Sequence, residues 1–188
     1  MGTGNPIGLH SEPRKFSQTG VPKVVVVRPA RPNDARKLSS FLVEAWKEAG
    51  PGALGFTGAT DEAIKEIASE GFLTKRLTSP TVQIMVAEQG ETILGFSSLR
   101  KLGDRAAELS GIVVLESATG KGIGTRLLRK AMEGARRRGF GSILVKTERI
   151  NNRAIRFYKN AGFVESGKGI EKVGRVKVQL QILVKRLR

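Results

Sequence analysis

The spacing of apolar residues changes along this chain, and each change predicts a change of element. Lys23 to Arg28 is a β-branched run that reads as a first strand. Leu38, Phe41, Leu42, Ala45 and Trp46 then recur at three and four residues, the period of a helix, with Asn33 as its expected cap. Pro51 to Gly58 breaks that pattern. A second helix is expected from Asp61, capped by Thr60, with Ala63, Ile64, Ile67 and Ala68 on its apolar face. Val82 to Glu88 and Thr92 to Arg100 flank Gly90 as a hairpin, and Ala106 to Val114 follows the Gly103-Asp104 turn as a further strand. A long helix over 122–138 is predicted to bury Ile123, Leu127, Leu128, Ala131, Met132 and Ala135. Ser142 to Thr147 and Val176 to Val184 read as strands. Between them, Ala154, Ile155, Tyr158 and Ala161 lie at helical spacing, with Gly162 as a stop signal. Early hairpins followed by a strand–helix–strand unit predict an α/β sandwich around a mixed sheet. Met1 to Val21 lacks periodicity and reads as a disordered leader, so residues 22–188 are expected to form a single domain.

Composition narrows the chemistry. The chain is 39% hydrophobic and 27% charged, ordinary for a soluble globular protein. It has no cysteine and one histidine, His10, which excludes disulfides, cysteine nucleophiles and metal sites built on thiolates or several histidines. No apolar run approaches the ~20 residues of a membrane span, and no signal-peptide core is present. A cytoplasmic protein is the expectation. The net charge is +16, and it is unevenly placed. Residues 1–100 hold 12 Lys+Arg against 10 Asp+Glu, whereas residues 101–188 hold 21 against 7.

The basic half also contains the sharpest local motif, GKGIGTRLL from Gly120 to Leu128. It follows the strand residues Ile112, Val113 and Val114 and opens the long helix. Glycines let the backbone curve tightly, and the first turn of a helix leaves N–H groups unpaired beside a partial positive charge. With Lys121 alongside, the loop predicts an anion cradle, suited to a pyrophosphate. It matches neither the Walker pattern, since Thr125-Arg126 follow Gly124, nor the dinucleotide fingerprint, since only Ile123 separates Gly122 from Gly124.

A second motif, NNRAIRFYKNAGF from Asn151 to Phe163, lies downstream. Together the two resemble the GNAT superfamily of N-acetyltransferases, in which a strand, a phosphate loop, a long helix and a strand precede an N-x-x-A-x-x-x-Y helix closing on Gly-Phe. Asn151, Ala154, Tyr158, Gly162 and Phe163 fall on that pattern, and the resemblance runs from about Glu108 to Phe163. Where family members usually carry Arg or Gln in the loop this chain has Thr119, and where a proline often precedes it the chain has Glu116. The resemblance implies a mixed, mostly antiparallel twisted sheet of about six to seven strands flanked by helices. It also implies a splayed strand pair that holds the pantetheine arm of acetyl-CoA. Cofactor contacts would then come from Ile112, Val113, Val114, Thr119, Gly120, Lys121, Gly122, Ile123, Gly124, Thr125, Asn151 and Tyr158, with no metal. For Ile112, Val113 and Val114 a purely core role stays open.

The implied reaction is direct acetyl transfer to an amine, which needs a base for the amine proton and an acid for the departing thiolate. Tyr158, the only tyrosine, stands where the family keeps that acid. Glu108 stands where the histone-acetyltransferase branch carries its glutamate base, and an exposed strand residue is the alternative reading. Other branches place a glutamate on the next strand, where this chain has Lys146; Glu148 and water are further candidates. The acceptor, a protein or small-molecule primary amine, is not written in the sequence, and neither is the oligomeric state, monomer or homodimer. Two rival classes share the scaffold: a non-catalytic acyl-CoA sensor and a basic nucleic-acid- or ribosome-associated protein. Arg136, Arg137 and Arg138 complement a helix dipole or form a weak, nonspecific polyanion patch.

Overall fold

The computed structural model describes residues 24–49, 61–173 and 176–187. The leader, Lys23, the Pro51–Gly58 break and the Thr60 cap lie outside these residues. The elements run β1 (Val26–Pro29), α1 (Ala35–Ala49), α2 (Asp61–Ile67), α3 (Glu70–Leu77), β2 (Val82–Gln89), β3 (Thr92–Leu102), β4 (Ala106–Val114), α4 (Ile123–Arg137), β5 (Ser142–Glu148), α5 (Asn152–Asn160), β6 (Val164–Val173) and β7 (Val176–Arg186). The strands form one seven-stranded sheet in the order β1-β2-β3-β4-β5-β7-β6. Neighbours are antiparallel except β4 and β5, which are joined by the α4 crossover and run parallel.

Helices cover both faces. On one, Phe41 of α1 meets Phe96 of β3 edge-on at 5.8 Å. On the other, Gly95 sits under α4 so closely that an added Cβ would come within 3.2 Å of the Leu127 side chain. Leu99, Ala107, Leu109, Ile143, Val145 and Leu183 share this second face with Leu128, Ala131 and Ala135 of α4 and Tyr158 of α5. Strand alternation therefore turns Arg100, Glu108 and Leu144 to the α1/α3 side.

Several expectations are corrected. Asn33 does not cap α1; it lies in a 3₁₀ turn over Pro32–Asp34, where Asp34 accepts the Arg31 N–H at 2.7 Å. Trp46 and Met132 are half-buried rather than core. The helix expected from Asp61 is α2, and a further helix, α3, that was not expected follows it, with Ser69 as its cap accepting the Phe72 N–H at 3.3 Å. The strand β6 carries no apolar alternation, since it is an edge whose Val164 and Ile170 face solvent at 66% and 72% exposure.

Candidate active site

The site begins with a failure of strand pairing. Four pairs join β4 to β5, from Ala106↔Ser142 to Leu109↔Val145, although β4 continues to Val114 and β5 to Glu148. Against β3, Leu109 faces Leu99 and Gly111 faces Ser98, so Ser110 is an extra residue, a β-bulge, at the place where the parallel pairing stops. Beyond it the two strands splay. A cavity of about 380 Å³ occupies the gap, lined by Ile112, Val113 and Val114 of β4, by Thr119 and Gly124, and by Asn151, Ala154, Phe157 and Tyr158 around α5. A second cavity of about 330 Å³ continues from it along Thr119, Gly120, Gly122, Ile123, Gly124 and Thr125. Val114, Thr119, Gly124, Arg153 and Phe157 line both, so together they trace one groove from the splayed strands to the start of α4.

The glycine loop has the geometry of an anion cradle. Gly122, at φ +72°, is the N-cap of α4, a left-handed backbone that side chains resist. Arg126 makes the first bond into the helix, its N–H reaching the Gly122 carbonyl at 3.1 Å, and the amides of Ile123 to Thr125 form the open first turn. An added Cβ at Gly120 or Gly122 would meet no atom within 4 Å, so the loop faces open space that a phosphate fits. Gly124 is different: its Cβ would stand 3.7 Å from the Phe157 ring and 3.9 Å from Val114, inside the groove.

The structure gathers most of the sequence-predicted cofactor residues around this groove, with three qualifications. Lys121 lines neither cavity; its ammonium donates to the Ser117 carbonyl at 3.2 Å. Thr119 lines both but donates its hydroxyl to the Leu115 carbonyl at 3.2 Å. Val113 and Ile123 are also core residues, at 5% and 2% exposure. Sequence reasoning passed over Arg153 and Phe157. Arg153 approaches Glu116 at 3.7 Å across the mouth of the groove. Its signal was its place inside the second motif, two residues after Asn151.

Asn151 caps α5, its Oδ1 accepting the Ala154 N–H at 2.9 Å. At the far end Gly162, at φ +83°, lets the Phe163 N–H return to the Tyr158 carbonyl at 3.0 Å. That closure packs Phe163 and Phe157 edge-on against Tyr158, at 5.5 and 5.2 Å. Tyr158 is 6% exposed, and burial pushes its phenol well above the usual tyrosine range, so it stays protonated.

Glu108 is neither an exposed strand residue nor part of the groove lining. It is buried on the α1/α3 face, where its Oε2 accepts from Arg100 Nη2 at 2.5 Å across the β3–β4 pair. Lys146, where a glutamate was sought, pairs with Glu171 of β6 at 3.5 Å. Glu148 is 2% exposed at the end of β5, with its backbone carbonyl accepting the Asn151 N–H at 3.0 Å. Of the basic triplet, Arg138 donates to the Pro80 carbonyl at 3.0 Å and covers the Phe140 ring at 5.2 Å.

A mixed sheet that parts at a bulge, with a glycine-capped helix facing the opening, defines an α/β architecture with a groove between strand ends and helix N-terminus. Residues 42–163 match the model of the acetyltransferase (GNAT) family, and the chain belongs to that family and is an acyltransferase. It is 31% identical over 148 residues to an aminoglycoside N(6')-acetyltransferase type 1 of Klebsiella aerogenes, covering 74% of this chain and 90% of that protein. An uncharacterised N-acetyltransferase of Mycobacterium tuberculosis is 28% identical over 134 residues, 71% of this chain and 85% of the relative. In fold, the chain is similar to a PaiA N-acetyltransferase of Thermoplasma acidophilum solved with coenzyme A, at a TM-score of 0.69 and 22% identity over 87% of this chain and 99% of that one.

Proposed function

We propose that the protein transfers acetyl from acetyl-CoA directly to a primary amine. The observation that carries this reading is the continuous groove from the splayed β4–β5 ends to the open first turn of α4. Coenzyme A in a protein of similar fold supports the same occupant. The thioester supplies an activated acyl carbon when bound. Backbone amides of Gly120 to Thr125 hold its pyrophosphate, and the β4 edge from Ile112 to Val114 pairs with the pantetheine amides as a missing strand would.

The acceptor must arrive neutral, because an ammonium has no lone pair. A carboxylate, Glu108 directly or through water, accepts the amine proton as the new C–N bond forms. The C–S bond then breaks, and Tyr158, kept neutral by burial, donates its hydrogen to the departing sulfur. The products are an amide and a free thiol; Glu108 gives its proton to solvent and Tyr158 regains one from it, so the proton lost by nitrogen balances the one gained at sulfur. A screen of primary amines for thiol release from acetyl-CoA tests the reading; binding without release for every amine class would leave an acyl-CoA-binding protein in its place. The aminoglycoside named for one relative is polycationic, and a net charge of +16 opposes that class here.

A further inference from the structure

On the α1/α3 face, beside Glu108, lies a cluster that the proposed transfer does not use. Arg76, in the last turn of α3, donates from Nη2 to the Ser98 hydroxyl at 2.8 Å. Ser98 is 4% exposed and pairs with Gly111, immediately past the bulge, while its carbonyl accepts the Ser110 hydroxyl at 3.1 Å. Two residues along β3 on the same face, Arg100 holds Glu108.

The charges do not balance. Arg76 is half-buried and, among the described residues, has no carboxylate partner. Desolvation and, second, the nearby charge of Arg100 both push the Arg76 guanidinium below its ordinary range. Of the two guanidiniums, Arg100 contacts the Glu108 carboxylate and Arg76 contacts the Ser98 hydroxyl. A comparable arginine elsewhere is treated differently: Arg28, 23% exposed, is met by Asp34 and Glu88, each at 2.7 Å. Meanwhile the Phe72 ring lies 5.8 Å from the Arg76 guanidinium carbon, which positions the plane of the fork without consuming its donors.

The cluster is also where an acceptor has to enter. On the acetyl-transfer reading the cofactor occupies the groove on the α4/α5 side of the splay, so the acceptor approaches the acetyl group from the opposite face. That face holds Glu108, with Arg100 45% exposed beside it. We propose that Arg76 and Arg100 form a subsite for an acidic group, carboxylate or phosphoryl, carried by the amine acceptor. The inference rests on the acetyl-transfer reading. In it the acceptor's own oxyanion completes the charge balance of the cluster, and the guanidinium forks orient its amine toward Glu108 and the splay.

The test uses the full chain, acetyl-CoA and matched primary amines: ω-amino acids, their carboxamides, ω-aminoalkylphosphonates, and the polycations spermidine and kanamycin. Thiol release is expected to favour acids over their amides by roughly tenfold or more in kcat/KM, the order of a charge-assisted hydrogen bond. The ratio of carboxylate to phosphonate rates then identifies which oxyanion the site takes. Arg76→Gln is expected to collapse the acid-to-amide ratio, and Arg76→Lys, which keeps the charge, to restore part of it; thermal unfolding checks that both variants are folded. In parallel, calorimetry on the coenzyme A-loaded protein is expected to show binding of the ω-amino acids and not of their amides. Equal rates for acids and amides, a preference for polycations, or an acid preference intact in Arg76→Gln would overturn the subsite while leaving acetyl transfer standing. Acid binding dependent on Arg76, with no thiol release from any amine, would support the subsite and sink the transfer reading. Absence of both binding and turnover for every acid would overturn the subsite.

Discussion

The two faces of the β4–β5 splay are built from different materials. Toward α4 and α5, the groove is made largely of backbone: the open edge of Ile112–Val114, the first-turn amides of α4, and glycines that keep side chains away. Toward α1 and α3, the cluster is made of side chains, Arg76, Ser98, Arg100 and Glu108, drawn from three elements. Backbone recognition needs a run of consecutive residues with special conformation, so it leaves a compact mark in the sequence. Side-chain recognition needs only that distant positions converge, and it leaves none. The first face suits a partner whose shape does not vary; the second can change one residue at a time without disturbing the fold.

The largest expected effect breaks the backbone face. Gly122→Val places a branched side chain at φ +72° and in the space facing the loop, and is expected to abolish the rise in Tm caused by acetyl-CoA. Gly124→Ala, whose methyl finds ordinary contact with Phe157, is expected to keep that rise. If the valine variant is stabilised as the parent is, the loop does not hold the pyrophosphate.

Next come the two residues proposed as base and acid. Glu108→Gln preserves an acceptor for Arg100 and removes the charge, so turnover is expected to fall by about 10²-fold. Tyr158→Phe removes only the hydroxyl and is expected to lower kcat by ~10-fold or more with little change in cofactor affinity. A Glu108→Gln rate matching the parent at every pH would pass the role of base to water or Glu148.

A smaller effect lies away from the site and calibrates the contrast between paired and unpaired arginines. Arg28 holds the carboxyls of Asp34 and Glu88 below the usual carboxylate range. Groups depressed in this way stabilise the fold above pH ~4 and lose that contribution as pH falls through their folded values. Arg28→Met is expected to cost about 2 kcal/mol at pH 7 and to move acid unfolding to higher pH, read by urea titration at several pH values. An acid transition unchanged in the variant would show that these pairs add nothing to folding.

The weakest expected effect concerns the basic half. Heparin and mixed-sequence oligonucleotides are expected to bind weakly through Arg136 and Arg137, and to be released near 0.15 M salt, where screening acts within ~8 Å. Phe140, Tyr158 and Phe163 are buried, which removes most of the aromatic surface that single strands stack on. Tight, sequence-selective binding at physiological salt would give this half a nucleic-acid role.

What was legible in the sequence follows the same division. The loop, the Asn151–Phe163 helix and the strand before them were readable because their residues are contiguous and their period is regular. Glu108 was found by its distance from the loop, yet its burial and its Arg100 partner were not, since that contact is made across a hairpin. Arg76 gave no signal at all: it lies in α3, a helix of eight residues too short to show a clear apolar period. The strand β6 escaped because an exposed edge has no need to alternate. Lys121, the most conspicuous charge in the loop motif, donates to the Ser117 carbonyl here, because proximity in sequence to a glycine turn does not decide where a long side chain points.

The bulge at Ser110 has a consequence for the empty protein. By ending the β4–β5 ladder early it leaves a strand edge in the middle of the sheet, with the Arg153–Glu116 pair across its mouth. Any extended peptide of suitable width could dock there, including a segment of a second chain. A cofactor lying in the gap is then a stopper as well as a reactant. On the proposed reading, its departure would leave the backbone groups of that edge unpaired until the next molecule of cofactor arrived.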